Sequence, residues 1–239
     1  MPKILEEWTV LPHGRLNEID DGILTVTGKL KMPLTELERR MTVVRLKDQR
    51  LVVFSAIALD EPQMRRLETF GTPAFLVVPG DHHRTDARIW KDRYPQMRVI
   101  APEGARDAVT EAVPVDATTA DFNDPEVSVV TVPGTHDHEA ALIVRRPSGT
   151  TLIVNDLIGN LHNQPGFSGL VLGWLGFAGK TPHVPSPVKP GLPEDRAALR
   201  RQLLAWADDL QLKRIIVSHG EPIEDAPAET LRKLAASLP

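Results

Sequence analysis

The sequence has 239 residues, enough for one substantial core when a domain takes roughly 150 residues. Its 28 basic and 32 acidic residues leave a net charge of −4 and no Lys/Arg-rich stripe, which excludes a nucleic-acid binder dependent on neutralising phosphates. Cysteine is absent, which removes disulfides, thiolate nucleophiles and Cys-ligated zinc or iron–sulfur clusters.

From its start, where Glu6 and Glu7 stand in place of the apolar stretch of a signal peptide, the chain reads as a soluble cytoplasmic protein. Short apolar or β-branched runs at 23–26, 41–46 and 51–55 predict strands, the last two forming a hairpin over the polar turn 47–50. Asp60-Glu61-Pro62 opens a helix that closes near Phe70-Gly71. Strand 74–78, helix 86–94, strand 98–101 and helix 102–112 follow. A second β-rich block covers 127–132, 140–145 and 151–154, with Pro147-Ser148-Gly149 as the turn between the last two. The chain closes with a helix at 193–210, a strand at 214–217 and a helix at 227–238. Two β-rich blocks, each followed by helices, predict a pair of sheets flanked by helices in a single domain over 1–239.

Residues 165–193 break this pattern. The stretch 165–179 is apolar and glycine-rich, and shorter than the about 20 residues of a membrane-spanning helix. Prolines at 182, 185, 187, 190 and 193 then enforce an extended path. The expectation is an apolar flap, with Phe167 and Trp174 against a substrate, and no membrane span. An exposed flap of this kind also suits a homodimer.

Five of the eight histidines sit where apolar runs give way to turns. Asp81-His82-His83-Arg84-Thr85-Asp86 leaves the strand ending Val77-Val78, at the carboxyl edge where sites of such folds form. His136-Asp137-His138-Glu139 follows the run 129–132, and the two histidines, two apart, share one side of an extended backbone. Asp156 ends the apolar run 151–154, and a carboxylate at such an edge needs a partner, a metal ion or a backbone cap. His219 ends the run 212–217 and precedes Gly220, which lets the chain turn sharply. Imidazole and carboxylate are the zinc-type ligands that remain without thiolates, so the recurrence predicts one metal pocket built from four segments. For each cluster alone, a solvated or capping role is the competing reading.

Taken together, these residues resemble the metallo-β-lactamase-fold hydrolase superfamily. Its order along the chain is a His-rich motif after a strand, then Gly-His, then a strand ending in Asp, then a late strand ending in His-Gly. Here the counterparts are Val78-Pro79-Gly80 into His82-His83, Gly134-Thr135-His136, Val154-Asn155-Asp156 and Val217-Ser218-His219-Gly220. The resemblance covers roughly residues 20 to 235 and implies a four-layer αββα sandwich, an α/β fold with one or two metal ions at one edge of the sheets. Arg93-Tyr94-Pro95 and the run 41–46 resemble a little-characterised branch. The family pattern His-x-His-x-Asp-His is altered: one register keeps His82 and Asp86 with Arg84 and Ala87 in the remaining places, the other keeps His83 with Asp81 and Asp86.

What the resemblance implies for chemistry is a metal-dependent hydrolase in which metal-activated water attacks a small ester, lactone or thioester-like substrate. The implied metal ligands are His82, His83, Asp86, His136, Asp156 and His219. Asp86 would also orient the hydroxide, His138 would donate to the developing oxyanion, and Arg84 would repel a second cation or hold an anionic substrate. Zinc is the first choice of ion, and replacing histidine by carboxylate favours a single ion or a harder one such as manganese or iron. The alternative is a catalytically inactive member of the fold that binds a ligand or partner through the flap.

Overall fold

The computed structural model describes residues 3–31, 36–162, 178–179, 181–184 and 195–238. Its first sheet begins with Asn17–Asp20 (β1), Ile23–Lys31 (β2), Glu36–Arg45 (β3) and Arg50–Phe54 (β4), paired antiparallel in that order. Thr72–Val77 (β5) and Arg98–Ile100 (β6) continue it in parallel. Parallel neighbours need crossovers, and these are the helices Glu61–Phe70 (α1) and Ala87–Arg93 (α2). Asp60 caps α1 by accepting from the Gln63 amide at 2.9 Å, and Pro62 occupies the first turn, where no amide hydrogen is missed. The predicted helix 102–112 is a 3-10 turn, Glu103–Ala105, running into Arg106–Thr110 (α3).

The second sheet holds Val127–Thr131 (β7), Ala140–Arg146 (β8), Gly149–His162 (β9), Ala178–Gly179 (β10) and Leu212–Gly220 (β11). The first three form an antiparallel meander, while β10 and β11 lie parallel to β9. Arg196–Ala207 (α4) and Pro227–Ser237 (α5) complete the order.

Strand alternation sorts the core into layers. Met41, Val43, Leu51 and Val53 pack on the outer face of the first sheet with Met64 and Leu67 of α1 and Trp90 of α2. Their even-numbered neighbours Val44, Val52 and Phe54 turn the other way and meet Leu142, Ile153 and Ile216 of the second sheet. Leu152, Val154, Ile215 and Val217 point outward again, against Leu199, Leu203, Leu231 and Leu234 of α4 and α5. Period-two side chains buried on both faces of both sheets require helices outside each, which gives the αββα sandwich. No described helix is long and apolar enough to cross a membrane.

Two strands extend beyond their sequence expectation, and this matters for the site. β9 continues through buried Leu157 and Ile158 to His162, so Asp156 lies inside the strand rather than at its end. β11 likewise continues through His219 to Gly220. Their ladder is interrupted at this point: Val217 pairs with Val154, but His219 pairs with Gly159. The extra residues of β9 bulge out of register and re-aim the Asp156 carboxylate, as bulges beside sites do.

Candidate metal centre

Three side chains from distant segments converge at the bulge. His83 comes from the turn after β5, Asp156 from β9 and His219 from β11. One ligand atom from each lies within 4.8 Å of the others. His83 Nε2 stands 3.1 Å and His219 Nε2 3.0 Å from the same oxygen, Asp156 Oδ1. The imidazole rings lie 5.3 Å apart between centroids.

The outer ring nitrogens are held as well. His219 Nδ1 donates to the Glu38 carbonyl at 2.6 Å, and His83 Nδ1 faces the Ser55 hydroxyl at 2.7 Å. β3 carries Glu38 against β11 because it outruns β4, and Arg40, two residues on, fastens the same end by donating to the Gly220 carbonyl at 2.8 Å. Ser55 follows β4 directly, with a left-handed backbone (φ 57°) that turns its side chain toward the pocket turn.

Burial and charge set the protonation of this trio. Burial would push the Asp156 carboxyl up, but the two imidazoles outweigh it and hold it well below the usual carboxylate range. Burial pushes both histidines down; for His219 the Asp156 carboxylate and the Glu38 carbonyl more than reverse that, and its pKa rises. His83 stays lowered, because burial outweighs Asp156, with His219 and Arg39 adding like-charge repulsion. One carboxylate oxygen supports one imidazolium, and His219 has the second acceptor.

The donor set fits a metal ion. Two neutral imidazole nitrogens and a carboxylate are a common ligand set for zinc, iron and manganese. Both histidines have their far nitrogens fixed by oxygen atoms, the usual support for ligating imidazoles.

No family model matches the sequence, and no curated protein matches it. Solved structures do resemble it. The DIM-1 metallo-β-lactamase aligns with a TM-score of 0.65 at 15% identity, over 96% of this chain and 99% of the other. The mono-zinc form of FIM-1 from Pseudomonas aeruginosa gives 0.62 at 15%, over 96% and 98%. A metallo-β-lactamase from Erythrobacter litoralis gives 0.62 at 14%, over 93% and 96%. The chain is a metallo-β-lactamase-fold protein.

Within this metallo-β-lactamase fold, the remaining expected site residues fall elsewhere. Asp86 is buried away from the converging trio: its carboxylate pairs with Arg39 Nη1 and accepts from the Ala58 amide at 2.9 Å. Neither a ligand role nor the orienting of a hydroxide follows, because both oxygens are engaged in tying α2 to β3 and the loop after β4. Arg84, expected to line the substrate pocket, is buried and reaches the Ala108 carbonyl and Glu111. The cation beside the two histidines is Arg39, whose Nε and Nη2 are buried without a hydrogen-bond partner.

His82 is exposed, and His136 is exposed on the turn after β7 with a left-handed backbone (φ 51°). Neither joins the trio. His138 sits at the rim, with its Nδ1 3.0 Å from both oxygens of Asp81. Phe167 and Trp174, and most of the flap at 165–193, lie outside the described residues.

Sequence reasoning passed over Ser55, Glu38 and Glu139 as site elements. A polar residue directly after the apolar run of β4 was the available signal for Ser55. Glu38 acts through its carbonyl, which no side-chain pattern reveals. Glu139, counted within a histidine cluster, is buried under the trio, taking a bond from Asn155 Nδ2 at 3.4 Å while Oε2 has no partner. Burial, then the negative charges of Asp156 and Asp81, push its carboxyl well above the usual range. Asn155 in turn accepts from Ser218 at 3.0 Å, so residues next to Asp156 and His219 are locked together beneath the ligands.

Proposed function

We propose that this protein is a metal-dependent hydrolase that holds one divalent ion, zinc before manganese or iron, on His83, Asp156 and His219. The observation that carries this reading is the convergence of these three donors within 4.8 Å, with both outer imidazole nitrogens held by oxygen. When bound, such an ion lowers the pKa of a water molecule and polarises a carbonyl oxygen. The chain's own residues supply the rest. The Ser218–Asn155–Glu139 network fixes the two ligand strands. His138, oriented by Asp81, is the candidate to donate to the developing oxyanion. The apolar stretch 165–179, with Phe167 and Trp174, is proposed to cover the apolar part of a small ester, lactone or thioester-like substrate. A cytoplasmic location and a homodimer through that stretch belong to the same reading.

One observation favours the inactive alternative. The side chains of His83, Asp156 and His219 are only 6%, 11% and 5% exposed, and their mutual hydrogen bonds satisfy them without an ion. A ligand- or partner-binding protein would have the same centre.

Metal content after purification without added metal separates the two. About one ion per chain, lost in His219→Ala together with hydrolysis of p-nitrophenyl acetate or a short acyl thioester, supports the hydrolase. A folded protein that takes up no zinc, manganese or iron overturns it.

A further inference from the structure

Resting on the metal-site reading, we propose that Ser55 is the positioning residue that decides which nitrogen of His83 is presented to the ion, and that its hydroxyl lets the ring exchange tautomers when the ion arrives.

The argument starts from the two outer contacts. The Glu38 carbonyl can only accept, so His219 must carry hydrogen on Nδ1, and the nitrogen it offers the trio is always Nε2. Ser55 is different. A hydroxyl has one donor and two acceptor sites, so it satisfies His83 Nδ1 whether or not that nitrogen carries hydrogen. Without an ion, Asp156 Oδ1 at 3.1 Å calls for hydrogen on His83 Nε2, which leaves Nδ1 bare and makes Ser55 the donor. A His83 that ligates through Nε2 must carry its hydrogen on Nδ1 instead, and Ser55 becomes the acceptor. No proton is gained or lost by the ring; one moves from Nε2 to Nδ1, and the hydroxyl rotates.

Two features set Ser55 apart from a serine that merely fills space. It is only 2% exposed, so water cannot take over the contact with Nδ1. It also holds a left-handed backbone (φ 57°), a conformation that costs a non-glycine residue of order 1 kcal/mol or more and that clusters at functional sites. Its amide bonds to the Val77 carbonyl at 3.1 Å, which fixes this strained residue to the strand leading into the His83 turn.

Ser55→Gly and Ser55→Ala make the test, because both remove the hydroxyl but only glycine relieves the backbone. Zinc affinity is measured by competition with a chelator, and the His83 tautomer by nitrogen-15 NMR of the imidazole. The expected result is a roughly 10- to 100-fold loss of zinc affinity in both variants, although Ser55→Gly unfolds at a higher temperature than Ser55→Ala. In the wild-type protein, the His83 hydrogen moves from Nε2 to Nδ1 when zinc is added. Zinc affinity that is unchanged, or that follows the stability of each variant, overturns the proposal, as does a His83 tautomer indifferent to zinc. Should the wild-type protein take up no zinc, the metal reading fails by itself. The metal-free spectra then decide Ser55: a His83 Nδ1 resonance that shifts in both Ser55→Ala and Ser55→Gly, as its hydrogen bond is lost, supports the hold on the ring, and identical spectra refute it.

Discussion

His219 and Asp156 are joined at 3.0 Å while the other nitrogen of the same imidazole donates to the Glu38 carbonyl at 2.6 Å. A ring that donates from both nitrogens is an imidazolium, so the metal-free centre carries its own cation. An entering ion must displace that proton, and metal uptake is expected to weaken as pH falls. Zinc affinity measured across pH 5 to 8 checks this; a flat profile would contradict it.

The same pair gives a stability signature in metal-free protein. The pKa of His219 is raised by folding, so its contribution is fully present below about pH 6.5, its unfolded value, and is lost as pH rises through the folded value. Asp156 is shifted down, so its contribution is present above about pH 3.9 and lost as pH falls through the folded value. The stability gap between wild type and His219→Ala is expected to be wide at pH 5.5 and narrower above pH 8. For Asp156→Asn the gap should narrow in strong acid. Urea unfolding at each pH measures both.

Glu139 has the opposite sign to Asp156. Folding raises its pKa, so the native state holds a proton that the unfolded chain releases above about pH 4.3, and stability falls as pH rises. Glu139→Gln is therefore expected to gain on the wild type between pH 4 and pH 8, by about 1–2 kcal/mol, the scale of a single polar substitution. Equal pH dependence of the two proteins in urea would show that the carboxyl is not held protonated.

Asp86 and Arg39 form a buried ion pair. Removing one partner strands the other, so Asp86→Ala is expected to cost about 3–5 kcal/mol. Removing both, in Arg39→Met with Asp86→Leu, should recover much of that. Zinc stoichiometry of whichever variant folds should match the wild type, because Asp86 lies outside the group of His83, Asp156 and His219. His82→Ala and His136→Ala should leave zinc content unchanged as well, in contrast to His83→Ala.

Gly220 adopts φ 106°, and a Cβ there would collide with the Asn160 carbonyl oxygen. Gly220→Ala must push apart β9 and β11, the two strands that carry Asp156 and His219. A loss of about 2 kcal/mol or more is expected, together with weaker zinc binding. Retained stability and affinity would mean that the two strands can separate freely at this point.

Most strands of both sheets and their helices were legible in the sequence because they are buried by alternation, while the edge strands β1 and β10 were not read. Runs such as 41–46 and 151–154 carry their period in the residues themselves. Asp156 and His219 were legible as candidate ligands for a related reason: a polar group that closes an apolar run must find a partner. The turn 81–86 was legible only as a cluster. Which of its members faces inward depends on how β5 leaves the sheet and where β3 places Arg39, and neither is encoded within six residues.

By itself, then, the sequence determined the order of the buried elements, the layering of the sandwich and the residue types available to a metal. The tertiary structure decided which of those donors come together. It did so through long-range contacts: a bulge that re-aims Asp156, a carbonyl of β3 that orients His219, a strained serine after β4 that receives His83, and an arginine that draws Asp86 out of the centre. Apolar burial follows from local pattern, because water excludes a face of any strand that carries it. Buried polar groups must instead be satisfied by particular partners, and those partners are brought together only when the chain has folded.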